Sequence, residues 1–319
     1  MASCCSFSSS RRPETFSCTT ENRDPNRIDT PGDKKMNEIC REELRKYEEK
    51  YHVEHSTGDQ APTVCALFGA PEPADNGGVP LAPVLERAEK LFGAPDRCEK
   101  MLIFCPDAVG DVHYRKHPEL LGRVEKLADL KMLSSVIFPS VTPGCFCTIF
   151  SGSSPEVHGF KKWEQRVVTV ETIFDILPKM GKSVAIVAKD SSMARIFRNR
   201  QIDYYTVRSD DIARRITARL IEEDEYDVIV SYVWQFDHYG HHNGPDSPES
   251  LGALNFIVDA FEEHVGLTEK YWKQYNRVVI FSPDHGNHQV DELTGSHGKD
   301  IPEDMLVNHF YRLRGKNDE

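Results

Sequence analysis

The sequence predicts an α/β fold: a mostly parallel sheet with helices on both faces, and a metal site at the carboxyl ends of its strands. Three observations carry that expectation. From residue 100 onward, short and nearly continuous apolar runs alternate with stretches of helical periodicity, the pattern of strands buried on both faces. Four of the apolar runs end in clusters of Asp, His, Thr and Gly. In open sheets of this kind, ligands gather beyond the carboxyl ends of the strands.

Residues 1–35 are rich in Ser, Thr, Arg, Asp and Pro and lack apolar periodicity, so a disordered tail is expected. Residues 36–52 place Ile39, Leu44 and Tyr47 at helical spacing among charges. A Pro/Gly/Ala-rich connection follows, so 36–99 reads as a helix and a linker ahead of a main domain over 100–319. The FGAP at 68–71 recurs at 92–95, too short a match to count as a repeat. Strands are expected at Met101–Cys105, Ser135–Phe138, Ser183–Ala188, Tyr204–Val207, Val228–Trp234 and Arg277–Phe281, with a closing strand near Met305–Tyr311. Helices are expected at 116–129, 169–180, 209–223 and 248–265, each with apolar residues three or four apart. The last opens on Asp246-Ser247-Pro248-Glu249, a cap followed by a proline at the first helical position.

Composition narrows the function classes. The 319 residues hold 39 basic and 51 acidic side chains, for a net charge of −12. A surplus of acid argues against coating nucleic acid, whose phosphates are bound by surplus Lys and Arg. No apolar run approaches the roughly 18 residues of a membrane span, and the first 20 residues lack the apolar stretch of a secretory signal. Nine cysteines are an odd number, and Cys65, Cys105, Cys145 and Cys147 lie inside apolar segments. Reduced thiols in a cytoplasmic protein are therefore expected rather than a disulfide scaffold. Cys4-Cys5 is a faint palmitoylation pattern set against a plain solvated tail. Nothing in the sequence sets an oligomeric state.

The polar clusters carry the chemistry. Met101–Cys105 leads to Asp107, and Ser135–Phe138 leads through Pro139-Ser140-Val141 to Thr142-Pro143-Gly144. Val228–Trp234 leads to Asp237 and His241, and Arg277–Phe281 to Asp284-His285-Gly286, with Gly295-Ser296-His297-Gly298 soon after. Taken singly, each is a turn or a solvated loop, since Asp and Gly are common turn formers. Carboxylates and imidazoles converging at one sheet edge suit divalent metal ions, Zn²⁺ foremost, with Mn²⁺ or Fe²⁺ as alternatives. Thr142 before Pro143 reads as an N-cap with proline at the first position of a buried helix over 144–151. A hydroxyl there also sits where anions bind, and beside a metal ion it becomes a nucleophile.

In that set the chain resembles the alkaline-phosphatase superfamily, and within it the type I phosphodiesterase/nucleotide pyrophosphatase family. FPSVTPGCFCTIFSGSSPEVHGF (138–160) is similar to the family's nucleophile segment, and DHYGHHNGP (237–245) to its D-x-x-G-H-x-x-G-P motif. DHG (284–286) and SHG (296–298) resemble the remaining metal motifs, in order. The resemblance covers roughly residues 100–310. It implies an alkaline-phosphatase-like catalytic domain and two zinc sites, one with Asp107, Thr142, Asp284 and His285, the other with Asp237, His241 and His297. It also implies in-line attack by Thr142 on a small-molecule phosphate ester, a phospho-threonine intermediate, and backbone N–H groups of Gly144 and Cys145 holding a phosphoryl oxygen. His238, His242 and His288 fall outside the pattern, and His158 is expected to order the turn behind the nucleophile helix.

The chain departs from the family at two places. Where nucleotide pyrophosphatases carry an N–H donor after the threonine and an Asn three positions on, this sequence has Pro143 and Cys145. After His-Gly it reads FKKWEQ (160–165) instead of supplying an Asn; Lys161, Lys162 or Trp163 stands in, or the stretch is an exposed charged turn. The expected activity is hydrolysis of a phosphodiester or pyrophosphate bond. The alternatives are a phosphomonoesterase or phosphonate hydrolase on the same scaffold, and a non-catalytic binding protein that keeps the metal site for stability. A sulfatase is disfavoured, because no Cys/Ser-x-Pro-x-Arg occupies the nucleophile position.

Overall fold

The chain enters through a helix, α1 (Pro31–Tyr51), that buries Cys40, Leu44 and Tyr47 at helical spacing. The computed structural model describes residues 31–93, 97–198 and 200–318. The expected tail therefore falls outside the described residues up to residue 30, and residues 31–35 belong to the helix. Residues 53–99, expected as linker, instead fold as β1 (His55–Ser56), a 3-10 turn at Thr57–Asp59, α2 (Gln60–Phe68) and α3 (Ala82–Phe92). In α2 every residue but Ala66 is buried. A helix covered nearly all round shows no polar face, which is why periodicity alone reads it as a connection.

The main alternation follows: β2 (Lys100–Pro106), α4 (Asp111–Lys116), α5 (Pro118–Leu127), β3 (Leu130–Ser135), α6 (Thr142–Ser151), α7 (Pro155–His158) and α8 (Ile173–Lys179). After these come β4 (Val184–Lys189), α9 (Met193–Ile196), β5 (Asp203–Val207), α10 (Asp210–Glu223), β6 (Val228–Val233) and α11 (Gln235–Asn243). The chain closes with α12 (Pro248–Tyr271), β7 (Arg277–Phe281), the hairpin β8 (His288–Gln289) and β9 (Gly295–Ser296), α13 (Pro302–Met305) and β10 (Leu306–Arg314). Two boundaries differ from expectation. The helix expected at 116–129 is split at His117-Pro118, because a proline pushes the residue before it out of helical geometry. The strand expected at Ser135–Phe138 lies earlier, where Leu130–Ser135 form the ladder with β10; Val136 onward leaves the sheet toward α6.

Eight strands make one sheet in the order β1-β3-β10-β7-β2-β6-β4-β5. Only β10 is antiparallel to its neighbours. The carboxyl ends of β2, β3, β6 and β7 therefore share one edge. Side-chain alternation splits the core. Met101, Ile103 and Cys105 face one layer with Phe146 and Phe150 of α6 and Val64 and Phe68 of α2. Leu102 and Phe104 face the other, with Leu254, Ile257 and Phe261 of α12. Each fully buried side chain of that size contributes roughly 1.5–3 kcal/mol. The six described cysteines are buried free thiols, and among the described residues no helix is long and apolar enough to cross a membrane.

Candidate metal centre

Each candidate residue hangs from a strand end or from the turn beyond it. Asp107 follows β2, and its N–H donates to Val233 O at the end of β6 (2.9 Å). Asp284 and His285 follow β7. Gly286 must be glycine, because a Cβ there would lie 1.9 Å from Glu303 O. Asp237 and His241 stand one turn apart on α11, the helical option among those left open by their spacing. His297 lies after β9 and donates from Nδ1 to Ser140 O (2.8 Å), which ties it to the loop before Thr142.

The side chains meet in two groups. Ligand atoms of Asp107, Asp284 and His285 lie within 4.8 Å of one another, and so do those of Asp237, His241 and His297. Thr142 Oγ1 is 3.2 Å from His285 Nε2, and the His285 and His297 rings stack at 4.0 Å, so the groups adjoin. His285, His241 and His297 each direct Nδ1 at a backbone carbonyl. That bond requires the proton on Nδ1 and leaves a lone pair on Nε2. The lone pairs face carboxylate oxygens: His285 Nε2 is 3.5 Å from Asp107 Oδ1 and 3.4 Å from Asp284 Oδ2. His241 and His297 approach Asp237 Oδ1 at 3.4 and 3.6 Å. All three of those oxygens are buried without a hydrogen-bond donor.

Acceptors facing acceptors in a buried site are unfavourable unless a cation lies between them. Protonation follows the same logic. Burial, reinforced by Asp284 and Asp237, pushes the Asp107 carboxyl well above its usual range. Burial likewise lifts Asp284 to about 8 and drives His285 far down. Carboxylate oxygens, imidazole Nε2 atoms and a hydroxyl, with the imidazoles oriented by carbonyls, make a donor set that fits a divalent ion. The second oxygen of Asp107 is engaged by the buried Tyr232 hydroxyl, which donates to Oδ2 and leaves Oδ1 alone to face His285. A tyrosine near the end of the aliphatic run VIVSYV was the signal for it, and motif reasoning passed over it.

Two expectations about the nucleophile helix change. Val141, with extended backbone, is the N-cap of α6, and Thr142 is the first helical residue with Pro143 after it. The Thr142 hydroxyl caps nothing and is directed at His285 instead. The Cys145 N–H donates to Val141 O (3.0 Å) and so is spent inside the helix. Among the described residues the Gly144 N–H finds no acceptor and is a donor left at this terminus. His158 does order the turn behind α6, with Nε2 3.1 Å from Thr148 Oγ1. His288 is buried against Asp304.

A cleft of about 220 Å³ opens over Asp107, Thr142 and Asp237. Its outer wall holds Trp163, Lys189, Trp234, His238 and His242. Of the Lys161, Lys162 and Trp163 candidates only Trp163 lines it; Lys161 pairs with Glu156 on the surface. Asp210 accepts N–H bonds from Trp234 and Gln235 and fixes the β6–α11 corner. Lys189, Trp234 and Asp210 come from separate strand ends, and no spacing in the sequence links them.

No protein-family model matches the chain. It is 29% identical over 94 residues to GPI ethanolamine phosphate transferase 2 of Yarrowia lipolytica, covering 30% of this chain and 10% of that protein. To the catalytic subunit of human GPI ethanolamine phosphate transferase 2 it is 21% identical over 196 residues, 57% of this chain and 19% of that one. The chain thus spans a fifth or less of the length of these relatives. Among solved structures, murine ectonucleotide pyrophosphatase/phosphodiesterase 5 superposes with a TM-score of 0.54 at 15% identity, over 68% of this chain and 90% of that one. Its human counterpart gives 0.51 at 13%, over 68% and 88%. The chain therefore shares the fold of the ectonucleotide pyrophosphatase/phosphodiesterase structures.

Proposed function

We propose that the chain is a two-metal-dependent hydrolase of phosphoric esters, acting on phosphodiester or pyrophosphate bonds with Thr142 as nucleophile. One observation supports it above the others: six buried or half-buried ligand-type side chains converge beside a helix-start hydroxyl, with one carboxylate oxygen each of Asp107, Asp237 and Asp284 buried without a hydrogen-bond partner. Asp107, Asp284 and His285 would hold one ion and Asp237, His241 and His297 a second, and ions bound there supply positive charge to the attacking and departing oxygens. Zn²⁺ suits this ligand set, with Mn²⁺ as the alternative.

The chain's own residues do the rest. Thr142 sits at the start of a ten-residue helix, where backbone N–H groups favour an anion. Gly144 N–H is a donor available to a phosphoryl oxygen. Thr142 Oγ1 loses its proton and bonds to phosphorus, the bond to the leaving oxygen breaks, and that oxygen takes up a proton. Water then attacks the phosphoryl-threonine, which still carries the second ester group, breaks the Thr142 Oγ1–phosphorus bond, and frees a phosphate monoester while restoring the hydroxyl.

Hydrolysis of bis(4-nitrophenyl) phosphate against 4-nitrophenyl phosphate, with added Zn²⁺ or Mn²⁺, tests the reading. The diester is expected to be the better substrate, and Thr142→Ala to lower turnover by about 10³-fold or more with metal content kept. Preference for the monoester would move the assignment to a phosphomonoesterase. Full turnover in the alanine variant would remove Thr142 as nucleophile. A second reading, transfer to an alcohol in place of water, is favoured by the local likeness to two phosphate transferases. Adding ethanolamine to the diester assay separates the two: transfer gives the mixed 4-nitrophenyl ethanolamine phosphodiester, hydrolysis only 4-nitrophenyl phosphate.

A further inference from the structure

The outer cleft carries a single Lys or Arg side chain, Lys189, the last residue of β4. Its ammonium lies over the Trp234 ring, 5.3 Å from the centroid. Among the described residues it pairs with no carboxylate, although the chain has an excess of twelve acidic side chains. The local acids are taken by arginines: Asp190 by Arg198 at 2.8 Å and Glu164 by Arg166 at 3.1 Å. An exposed ammonium left unpaired and held on an aromatic face is a cation directed at the cleft.

Its place in the sheet gives the scale. Asp107 follows β2, Tyr232 and Trp234 lie at the end of β6, and Lys189 ends β4, on three adjacent strands. Two strand spacings put Lys189 about 10 Å along the edge from the metal-ligand groups. Trp234 stacks on Tyr232 at 6.1 Å, and Tyr232 bonds to Asp107, so one wall runs unbroken from the ligands to the ammonium. Trp163 on the same cleft adds apolar surface.

We propose that Lys189, on the face of Trp234, is a subsite for a second anionic group of the substrate, a carboxylate or a further phosphate. This rests on the phosphoric-ester reading of the adjoining centre. The favoured substrate is then an ester that carries a second negative charge about 10 Å from the phosphorus attacked. The ammonium forms a charge-assisted hydrogen bond with that group, strengthened as the cleft excludes water.

The test pairs turnover with binding in wild type, Lys189→Gln and Lys189→Arg. Substrates are bis(4-carboxyphenyl) phosphate, bis(4-phosphonophenyl) phosphate and, as the uncharged reference, diphenyl phosphate. In Lys189→Gln the ratio of kcat/KM for a charged ester to the uncharged reference is expected to fall about tenfold or more, with Lys189→Arg retaining most of it. Which charged ester loses more distinguishes carboxylate from phosphate. Calorimetric titration with phenyl phosphate and 4-hydroxybenzoate reads the subsite without turnover, and at least one is expected to bind about tenfold more weakly to Lys189→Gln. An unchanged ratio together with unchanged binding overturns the subsite while leaving the hydrolase reading in place. Binding that depends on Lys189 in a protein that cleaves none of the esters keeps the subsite and overturns the hydrolase reading.

Discussion

Helix α6 has a buried histidine cluster at either end. Behind its last turn, Phe160 N–H donates to His158 Nδ1 (3.1 Å), His158 Nε2–H donates to Thr148 Oγ1 (3.1 Å), and Thr148 O–H donates to Ser153 O (2.9 Å). Each of those donors has an acceptor. Beyond its first turn, the imidazole of His285 turns its lone pair toward Asp107 Oδ1 and Asp284 Oδ2, neither of which has a donor. Residue types and burial are similar, yet one cluster is complete in itself and the other is not. A satisfied buried network rigidifies a fold, while an unsatisfied one destabilises it until a ligand completes it. The comparison thus assigns the first cluster to the scaffold and the second to the chemistry.

The strongest way to break the contrast is a matched pair of isosteric changes. Asp284 Oδ1 accepts the N–H groups of Ala108 and His285, while Oδ2 faces His285 Nε2. Asp284→Asn keeps the first oxygen and places an amide donor opposite the lone pair. Divalent-ion affinity is expected to fall by more than about 100-fold, since changes around a ligand alone cost 10–100-fold. Above about pH 8, where burial no longer keeps the Asp284 carboxyl protonated, the metal-free protein should gain about 1–3 kcal/mol, as a buried acceptor clash becomes a hydrogen bond. Thr148→Val, which strands His158 Nε2–H and Ser153 O, should lose about 2 kcal/mol and leave ion affinity alone. Urea unfolding and metal titration of both variants check this, and equal destabilisation by the two would erase the distinction.

Acid sharpens the same comparison. Burial holds the His158 pKa down at about 3, against about 6.5 in an unfolded chain. A depressed folded pKa means the stabilisation is present above about 6.5 and is lost as pH falls toward 3. The stability advantage of wild type over His158→Gln should therefore shrink by about 2–3 kcal/mol between pH 7 and 4.5. Taking the difference between the two proteins cancels the other titrating groups. A gap that stays level would mean that His158 is not held neutral.

The smallest effect belongs to Tyr232. Phenylalanine there leaves Asp107 Oδ2 without its donor, and ion affinity should drop about tenfold with the metal-free fold kept. A Co²⁺-loaded sample gives a second readout, because a freed second oxygen raises the coordination number and weakens the visible absorption. An identical spectrum and affinity would show that Tyr232 only fills space.

The strand alternation and the four polar clusters were legible because each depends on local pattern: apolar runs, and Asp or His just beyond them. Asp107, Thr142, Asp237, His241, Asp284, His285 and His297 come together for that reason. Residues 53–93 were read as a linker because α2 is covered on nearly every side, so its apolar character appears as composition and not as a periodic stripe, and because the short α3, with Val84, Ala88 and Phe92 buried four apart, was passed over among Pro, Gly and Ala. Cys145 was misjudged by the shift of one residue in the helix start, which spends its N–H on Val141 O. Tyr232 left a local trace in VIVSYV that motif reasoning passed over, while Lys189 and Asp210 were out of reach, since their roles come from strands that adjoin in the sheet order and not in the chain.

The most direct test of the central claim is the divalent-metal content of the purified protein, measured by elemental analysis after equilibration with Zn²⁺ or Mn²⁺ and removal of loose ions. Two ligand groups predict two tightly held ions per chain, both lost in a protein carrying Asp284→Asn together with His297→Ala. A folded wild-type chain that retains no divalent ion would contradict the account.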